Sequence, residues 1–394
     1  MASRLSEIAS KKKKLIVGLS SGTSADGVDS ALVRIEGSAP ELKAQMLLHD
    51  TYPYPKYIKE AVLSVLDGKG TLEDICFLNY QLGEVFAQAC LSLMESSDFK
   101  LGDLDAVGSH GQTVCHIPRS LADRRNCPVS TLQLCEAQVI AEKTGAIVVC
   151  DFRSADIAAG GEGAPLAPCV DYILFRRGRV SRGLLNIGGI ANLTALPGDC
   201  RPEDVVGFDT GPGNMVLDFL ARNLFGTECD KDGTLSARGT SSQELLEDLL
   251  QFDFFKLSPP KSAGRKIFGS HFSEKLIRMA KKKDLSKEDL MATAVALTAT
   301  SIHRAYLKFV TRTCQIDELY VSGGGVENRT MMQQIKDAFS PIEVHTTEKL
   351  GIDPHAKEAL LFAVLANQAI AGEPSSLPQV TGAARKTVLG KIVQ

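Results

Sequence analysis

The chain contains two segments in which a short apolar strand runs into a glycine-rich turn and a second strand follows. The first joins residues 15–19 to residues 30–35, and the second joins residues 184–187 to residues 191–195. Glycine is needed where backbone turns sharply or approaches a ligand closely. Alternating predicted strands and helices follow each segment, a pattern typical of α/β layers with helices on both faces of a sheet. The sequence therefore predicts an α/β chain of two similarly ordered halves.

Charge and composition exclude several classes of protein. The 394 residues carry 44 basic and 47 acidic side chains, a net charge of −3, which argues against a general nucleic-acid or anionic-membrane surface. No apolar run approaches the roughly 18 residues of a membrane helix. The ten cysteines form no C-x-x-C pair, which predicts reduced thiols. We therefore expect a cytoplasmic protein that binds neither nucleic acid nor a membrane.

The first glycine-rich turn is a candidate phosphate-binding loop. It is not a P-loop, because it lacks Gly-Lys-Ser/Thr and a strand follows it rather than a helix. Backbone N–H groups among glycines and small hydroxyls can still bind phosphate oxygens. The candidate contacts are Gly22, Thr23, Ser24, Asp26, Gly27 and Asp29. Asp26 or Asp29 could hold Mg²⁺, directly or through water, because hard cations prefer oxygen ligands. A tight hairpin turn without a ligand is the alternative.

Glycines of the second half extend this set. Gly188 and Gly189 follow a predicted strand and could bind phosphate from a second side. The run from Gly323 to Gly325 also ends a strand, where a planar base could lie close to the backbone. An ordinary strand-to-helix turn is the alternative for the run. The candidate nucleotide contacts of this half are Gly188, Gly189, Gly211, Gly323, Gly324, Gly325 and Asn328.

Asp209 is the strongest catalytic candidate. It ends a predicted buried strand and precedes a glycine-rich turn that opens a helix. The strand ends of α/β enzymes carry catalytic groups, and a carboxylate there can act as a general base. The alternative is that Asp209 or Asn214 caps the helix.

Three further side chains could contact a ligand. His110 follows a predicted strand and is either a hydrogen-bonding partner of a polyhydroxylated ligand or a structural histidine. Arg153 belongs to a charged cluster with Asp151 and Asp156, which either binds substrate or forms an internal ion pair. Glu358 on the last predicted helix either faces the site or is solvated.

An ordered set of motifs resembles the anhydro-N-acetylmuramic acid kinases from about residue 15 to the C-terminus. The matching segments are residues 21–29, 109–113, 151–153, 158–166, 186–194, 207–214, 230–233, 260–265 and 356–359. The resemblance implies an actin/hexokinase-like fold of two RNase-H-like lobes with ATP in the interlobe cleft. We expect residues 1–150 and 355–394 to form the first lobe and residues 151–354 the second.

The resemblance also implies a reaction, in which a 1,6-anhydro sugar is hydrolysed and phosphorylated in one step with ATP and Mg²⁺. Asp209 would activate the water that attacks C1, and Asp26 would contact Mg²⁺, directly or through water. The implied sugar contacts are Thr113, His110, Arg153 and Glu358. A homodimer is expected by the same resemblance.

The identity of the sugar stays open between two branches of this superfamily. Ser154 and Ala155 follow Arg153 where some relatives carry further arginines, which would weaken recognition of the lactyl carboxylate of the muramic sugar. Levoglucosan kinase, a neighbouring branch, acts on a 1,6-anhydro sugar without that carboxylate. Gly161 stands where arginine is associated with the levoglucosan branch, so the muramic sugar is preferred. A general sugar kinase or a non-catalytic actin-like ATP-binding module would share the same fold.

Overall fold

The structure is a computed structural model that describes residues 4–22 and 24–394. Its strands are β1 (Lys13–Ser21), β2 (Gly27–Glu36), β3 (Lys43–Pro53), β4 (Ala106–Ile117), β5 (Ser130–Leu134), β6 (Ile147–Cys150), β7 (Arg182–Ile187), β8 (Ile190–Leu196), β9 (Val206–Pro212), β10 (Glu318–Ser322), β11 (Glu343–Thr346) and β12 (Lys391–Val393). Its α-helices are α1 (Arg4–Ser10), α2 (Lys56–Leu66), α3 (Leu72–Glu95), α4 (Arg119–Arg125), α5 (Ala137–Thr144), α6 (Ser154–Ala158), α7 (Ala167–Phe175), α8 (Asn214–Leu220), α9 (Gln243–Leu250), α10 (Asp253–Lys256), α11 (Arg265–Phe268), α12 (Ser270–Lys282), α13 (Lys287–Ala305), α14 (Arg329–Phe339), α15 (Lys357–Ala371) and α16 (Pro378–Thr381).

The sequence predicts helix starts at Thr71, with Asp74 three residues on, and at Ser286, with Asp289 three residues on, and two long helices begin there. Thr71 caps α3: its Oγ1 accepts from the Asp74 N–H and its own N–H donates to the Asp74 carboxylate, which forms a capping box. Ser286 caps α13 through the Asp289 N–H. Each cap satisfies backbone donors that the first turn of a helix leaves unpaired.

The chain forms two units. The first comprises the residues up to Phe175 together with Ala356–Gln394. Its sheet has the order β12-β6-β4-β1-β2-β3, and β5 pairs with β4. Strand β2 is antiparallel to both β1 and β3, whereas β1, β4 and β6 are parallel.

The second unit, Arg176–His355, repeats this topology. Its sheet has the order β11-β10-β7-β8-β9. Strand β8 is antiparallel to both neighbours, and β7, β10 and β11 are parallel. The five strands correspond one by one to β6, β4, β1, β2 and β3 of the first unit. This is the RNase-H-like order, so the prediction of two RNase-H-like α/β halves is confirmed.

Helix α15 lies directly against the first sheet because two strand residues lack a side chain. A β-carbon at Gly18 would lie 2.8 Å from the Ala359 carbonyl carbon, and one at Gly108 would lie 2.9 Å from Ala366 Cβ. Any larger residue would push the helix away. The close approach places the first turn of α15, which carries Glu358, beside the end of β1.

The first unit extends beyond the predicted boundary at residue 150. Helix α7 is tied to α15 by a buried ion pair of 2.9 Å between Asp171 and Lys357. Phe152 packs on Phe362 with ring centroids 5.3 Å apart. Residues 151–175 therefore belong with the first unit, whereas the sequence assigned them to the second. Across the described part of the chain, no helix combines the length and apolarity needed to cross a bilayer.

Candidate functional site

The loop between β1 and β2 carries the first set of predicted phosphate contacts. Gln112 on β4 supports its base, because Nε2 donates to the Gly22 carbonyl at 3.2 Å and Oε1 accepts from Ser21 Oγ at 2.8 Å. Ser24, two residues after Gly22, is exposed. Thr23, also predicted as a contact, lies outside the described residues. The loop therefore starts from a fixed backbone and presents a hydroxyl to solvent.

The two aspartates of this loop have separate partners. Asp26 is exposed and forms an ion pair of 2.8 Å with Lys59. Asp29 lies on β2, two residues after the closely packed strand start at Gly27, and accepts a 2.8 Å bond from Thr51 Oγ1. Within the part of the chain that the structure describes, no group of three or more His, Cys, Asp or Glu side chains is placed to hold a metal. The predicted role of Asp26 at Mg²⁺ stays a prediction.

Glu358 lies in the first turn of α15 and is partly buried. Burial and the negative charge of Asp29 raise its pKa from 4.5 to about 7, and Arg153 partly opposes them. The carboxyl group is therefore poised between its protonated and ionised forms near neutral pH. Glu358 is therefore not a solvated surface group, and its predicted place in the site stays a prediction.

His110 and Arg153 are hydrogen-bonded to each other. Arg153 donates to His110 Nε2 from Nε at 3.1 Å, and its Nη1 donates to the Gly163 carbonyl at 2.8 Å. The His110 ring stacks on Phe362 at 4.4 Å. Burial and the arginine charge hold the pKa of His110 well below its usual range, so the ring is neutral. Thr113, farther along β4, is partly exposed and its hydroxyl accepts a bond from β5.

The glycine-rich segment after α6 is held by two buried carboxylates. Asp156 accepts from the Gly163 N–H at 2.8 Å and from Thr381 Oγ1 at 2.7 Å. Glu162 accepts from the first N–H of α4 at 3.1 Å. A β-carbon at Gly161 would lie 2.7 Å from Asp156 Cγ. The backbone at residue 161 therefore has no room for a side chain, including the arginine associated with the levoglucosan branch.

In the second unit, Asp209 is buried on β9 and is held by one adjacent segment. Its N–H donates to the Lys261 carbonyl at 3.3 Å, and its Oδ2 accepts from the Ala263 N–H at 2.7 Å. The cap of α8 is Gly213, and no side chain bonds there. Neither Asp209 nor Asn214 therefore caps this helix, and the catalytic role of Asp209 stays a prediction.

Two turns beside Asp209 are hydrogen-bonded to each other. The Gly188 carbonyl accepts from the Asn214 N–H at 2.8 Å, and the Gly189 carbonyl accepts from the Gly213 N–H at 3.0 Å. Gly211 lies against α13, where a β-carbon would meet a serine Oγ at 2.6 Å. The β7–β8 turn and the start of α8 are therefore fixed together.

The glycines after β10 pack on the end of β7. Gly323 has a φ of +83°, and a β-carbon there would lie 2.6 Å from the Ile187 carbonyl oxygen. A β-carbon at Gly325 would also meet Ile187, at 2.6 Å from its Cβ. Gly324 has more room, 3.5 Å from Asn214 Nδ2. Close packing on Ile187 therefore accounts for the first and third glycine, whereas a β-carbon at the second would make only an ordinary contact.

Asn328 is engaged locally. Its Oδ1 accepts from the Met331 N–H at 3.0 Å as the cap of α14, and its Nδ2 donates to Asp230 at 3.2 Å. Its proposed nucleotide contact would have to coexist with both bonds.

Sequence reasoning missed two site residues. Gln112 supports the first loop, and the carbonyl of the buried Lys261 accepts the Asp209 N–H. Both belong to segments that match the family motifs, and that match is the only sequence signal for them. No local pattern distinguishes a buried lysine from a solvated one.

Comparison with known proteins identifies the family. Residues 14–394 match the family model of the anhydro-N-acetylmuramic acid kinases. The chain is 44% identical over 392 residues to the kinase of that name from Caldanaerobacter subterraneus subsp. tengcongensis, covering 99% of each chain. It is 45% identical over 383 residues to that from Salinibacter ruber, covering 97% of this chain and 96% of the relative. It is 39% identical over 377 residues to that from Clostridioides difficile, covering 95% and 97%. The chain therefore belongs to the anhydro-N-acetylmuramic acid kinase family.

Proposed function

We propose that this protein is an ATP-dependent kinase that converts 1,6-anhydro-N-acetylmuramic acid to N-acetylmuramic acid 6-phosphate. The observation that carries the proposal is the buried carboxylate of Asp209, held on a strand by the Ala263 N–H in a chain of this family. A fixed, buried carboxylate that does not cap a helix suits a general base.

The proposed reaction uses Asp209 to take a proton from water while the water oxygen bonds to C1 of the sugar. The bond between C1 and O6 breaks, and O6 takes the γ-phosphoryl group of ATP, which leaves ADP. The strained internal acetal supplies part of the driving force. The turn at Gly188 and Gly189 and the loop at Gly22 would bind phosphate through backbone N–H groups, which stabilise charge that develops on the transferring group.

The sugar-side contacts are proposed to be Thr113, His110, Arg153 and Glu358. His110 is neutral and is held by Arg153, so it would orient the sugar by hydrogen bonding and would not transfer a proton to it. Glu358, with a pKa near 7, can exchange a proton with a hydroxyl. The remaining proposed nucleotide contacts are Ser24, Gly27, Asp29, Gly211, Gly323, Gly324, Gly325 and Asn328.

Mg²⁺ fits the oxygen donors of the first loop. The carboxylates of Asp26 and Asp29 are the donor type that Mg²⁺ accepts, and this ion usually keeps several waters when it binds one or two carboxylates and substrate phosphates. When bound, it neutralises phosphate charge. Asp26 would approach it directly or through water, in competition with Lys59.

The test is ADP release from Mg-ATP in the presence of 1,6-anhydro-N-acetylmuramic acid, with levoglucosan and N-acetylglucosamine as parallel substrates. In ¹⁸O-water the label is expected at C1 of the muramic product. Turnover of levoglucosan alone would move the protein to the neighbouring branch, although the packing of Gly161 on Asp156 favours the muramic sugar. Turnover of N-acetylglucosamine alone would indicate a general sugar kinase, and ATP binding without turnover a non-catalytic module.

We also propose that the protein is a cytoplasmic homodimer. The dimer is supported by the resemblance alone, and light scattering at several concentrations tests it. The ten cysteines all carry free thiols, which suits a reducing compartment. Fractionation of cells that produce the protein tests the location.

A further inference from the structure

Lys261 is a buried cation next to the proposed general base. Its side chain lies within the second unit with 5% of its surface exposed. Its Nζ lies 4.5 Å from the ring centroid of Phe254, 5.4 Å from that of Phe309 and 5.8 Å from that of Phe208. Phe208 directly precedes Asp209 on β9. Three ring faces therefore hold this ammonium group, which stabilises it by cation–π attraction.

The backbone of the same lysine also positions Asp209. Its carbonyl accepts the Asp209 N–H, and two residues later the Ala263 N–H donates to the Asp209 carboxylate. One segment, residues 261–263, thus contacts the aspartate on both its backbone and its side chain. The aromatic contacts of the lysine side chain anchor this segment to the core.

The charges that face Lys261 come from two elements. Asp209 on β9 raises the pKa of the lysine, and Lys308, on the turn after α13, lowers it. Burial is the largest effect, it acts in the same direction as Lys308, and it brings the pKa of Lys261 down to about 8. Asp253 and Lys256 on the adjacent α10 are exposed. Because attraction is mutual, the cation that Asp209 stabilises also favours the ionised carboxylate.

We propose that Lys261 is a positioning residue for Asp209. The buried ammonium group of the lysine keeps the Asp209 carboxylate ionised and anchors the segment that orients Asp209. The inference rests on the proposed role of Asp209 as general base. An apolar residue of similar length would fill the aromatic site without the cost of burying a charge. The charge is therefore the property that a lysine adds at this position.

The first test is the pH profile of kcat/KM for Lys261→Met. Loss of the positive charge makes Asp209 harder to ionise, so the acidic limb is expected to move up by about one pH unit, which is about a tenfold loss below the limb. The two profiles should meet on the plateau above the limb, where Asp209 is ionised in both proteins. A loss that is equal at every pH would overturn the proposal, because it would indicate packing alone.

Lys275→Met is the matched control. Lys275 also lies over a phenylalanine, 4.3 Å from the Phe252 centroid, but it is exposed and is not part of the site. Its pH profile is expected to match that of the native protein. An equal shift in this variant would refute a specific role of Lys261.

A second measurement does not depend on turnover. Nuclear magnetic resonance of the whole protein labelled at lysine ¹³Cε should show one resonance, absent in Lys261→Met, that titrates near pH 8. In Asp209→Asn its titration is expected to move to lower pH, because the stabilising negative charge is gone. An unchanged titration would refute the coupling even in an active enzyme. A shifted titration in a protein that turns over no sugar would uphold the coupling and refute the proposed function instead.

Discussion

Gly161→Ala is expected to disrupt the glycine-rich segment because the new methyl group would enter the Asp156 carboxylate. The β-carbon would lie 2.7 Å from Asp156 Cγ and 3.0 Å from the Asp156 carbonyl oxygen. The carboxylate is fully buried and cannot move without loosening its bonds to Gly163 and Thr381. Each hydrogen bond to a charged group contributes roughly 1.5–3 kcal/mol, so the variant should lose about 2–4 kcal/mol of unfolding free energy.

Urea unfolding measures this loss against Gly102→Ala, at a position with open space around the added carbon. The control should stay within about 0.5 kcal/mol of the native protein. A double-mutant cycle with Asp156→Ala isolates the collision, since Gly161→Ala should cost much less once the carboxylate is gone. Additive losses in the cycle, or a stable Gly161→Ala protein, would refute the packing argument. They would also remove the structural reason against arginine at this position.

Three other predictions concern the first unit. Because the pKa of Glu358 is raised from 4.5 to about 7, the folded protein between these pH values retains a proton that the unfolded chain has lost. The free energy of unfolding should therefore fall by up to about 3 kcal/mol as the pH rises through this window. Glu358→Gln should abolish the fall, measured by urea unfolding without Mg²⁺. Lys357→Met leaves the buried Asp171 charge unpaired and should cost about 3 kcal/mol in the same assay, whereas a loss under 1 kcal/mol would show that the pair behaves as a surface one. Gln112→Leu removes the bond to the Gly22 carbonyl and should weaken ATP binding in calorimetry about tenfold; unchanged affinity would separate this loop from the nucleotide.

Local signals in the sequence were sufficient to predict the framework of the fold. Strand periodicity and glycine-rich turns predicted the paired hairpins that open each unit, and capping residues predicted the starts of α3 and α13. These features depend on neighbours within a few residues, where propensity and capping act directly. The repeated sheet order then follows from the order of the elements along the chain.

Contacts between distant residues were not predictable in this way. Gln112 and Ser21 are 91 positions apart, and Asp171 meets Lys357 across the whole second unit of the sequence. The second pair also explains why residues 151–175 were assigned to the wrong side of the boundary, since nothing local to α7 indicates its partner in α15. Burial of Lys261 has the same origin, because its three aromatic neighbours come from three separate elements.

The backbone around Asp209 distinguishes between two roles that its sequence motif allows, a helix cap and a catalytic group. An aspartate followed by a glycine-rich turn and a helix can be a cap or a catalytic group, and both depend on its position relative to the first helical turn. Strand β9 continues through Pro212, and the cap position falls on Gly213, four residues after the aspartate. The carboxylate therefore cannot reach the first N–H groups of α8 as a cap does, and it bonds instead to a segment more than fifty residues away. Because this buried carboxylate does not cap α8, capping of that helix does not account for an acidic residue at this position, which supports the proposal that Asp209 accepts the proton.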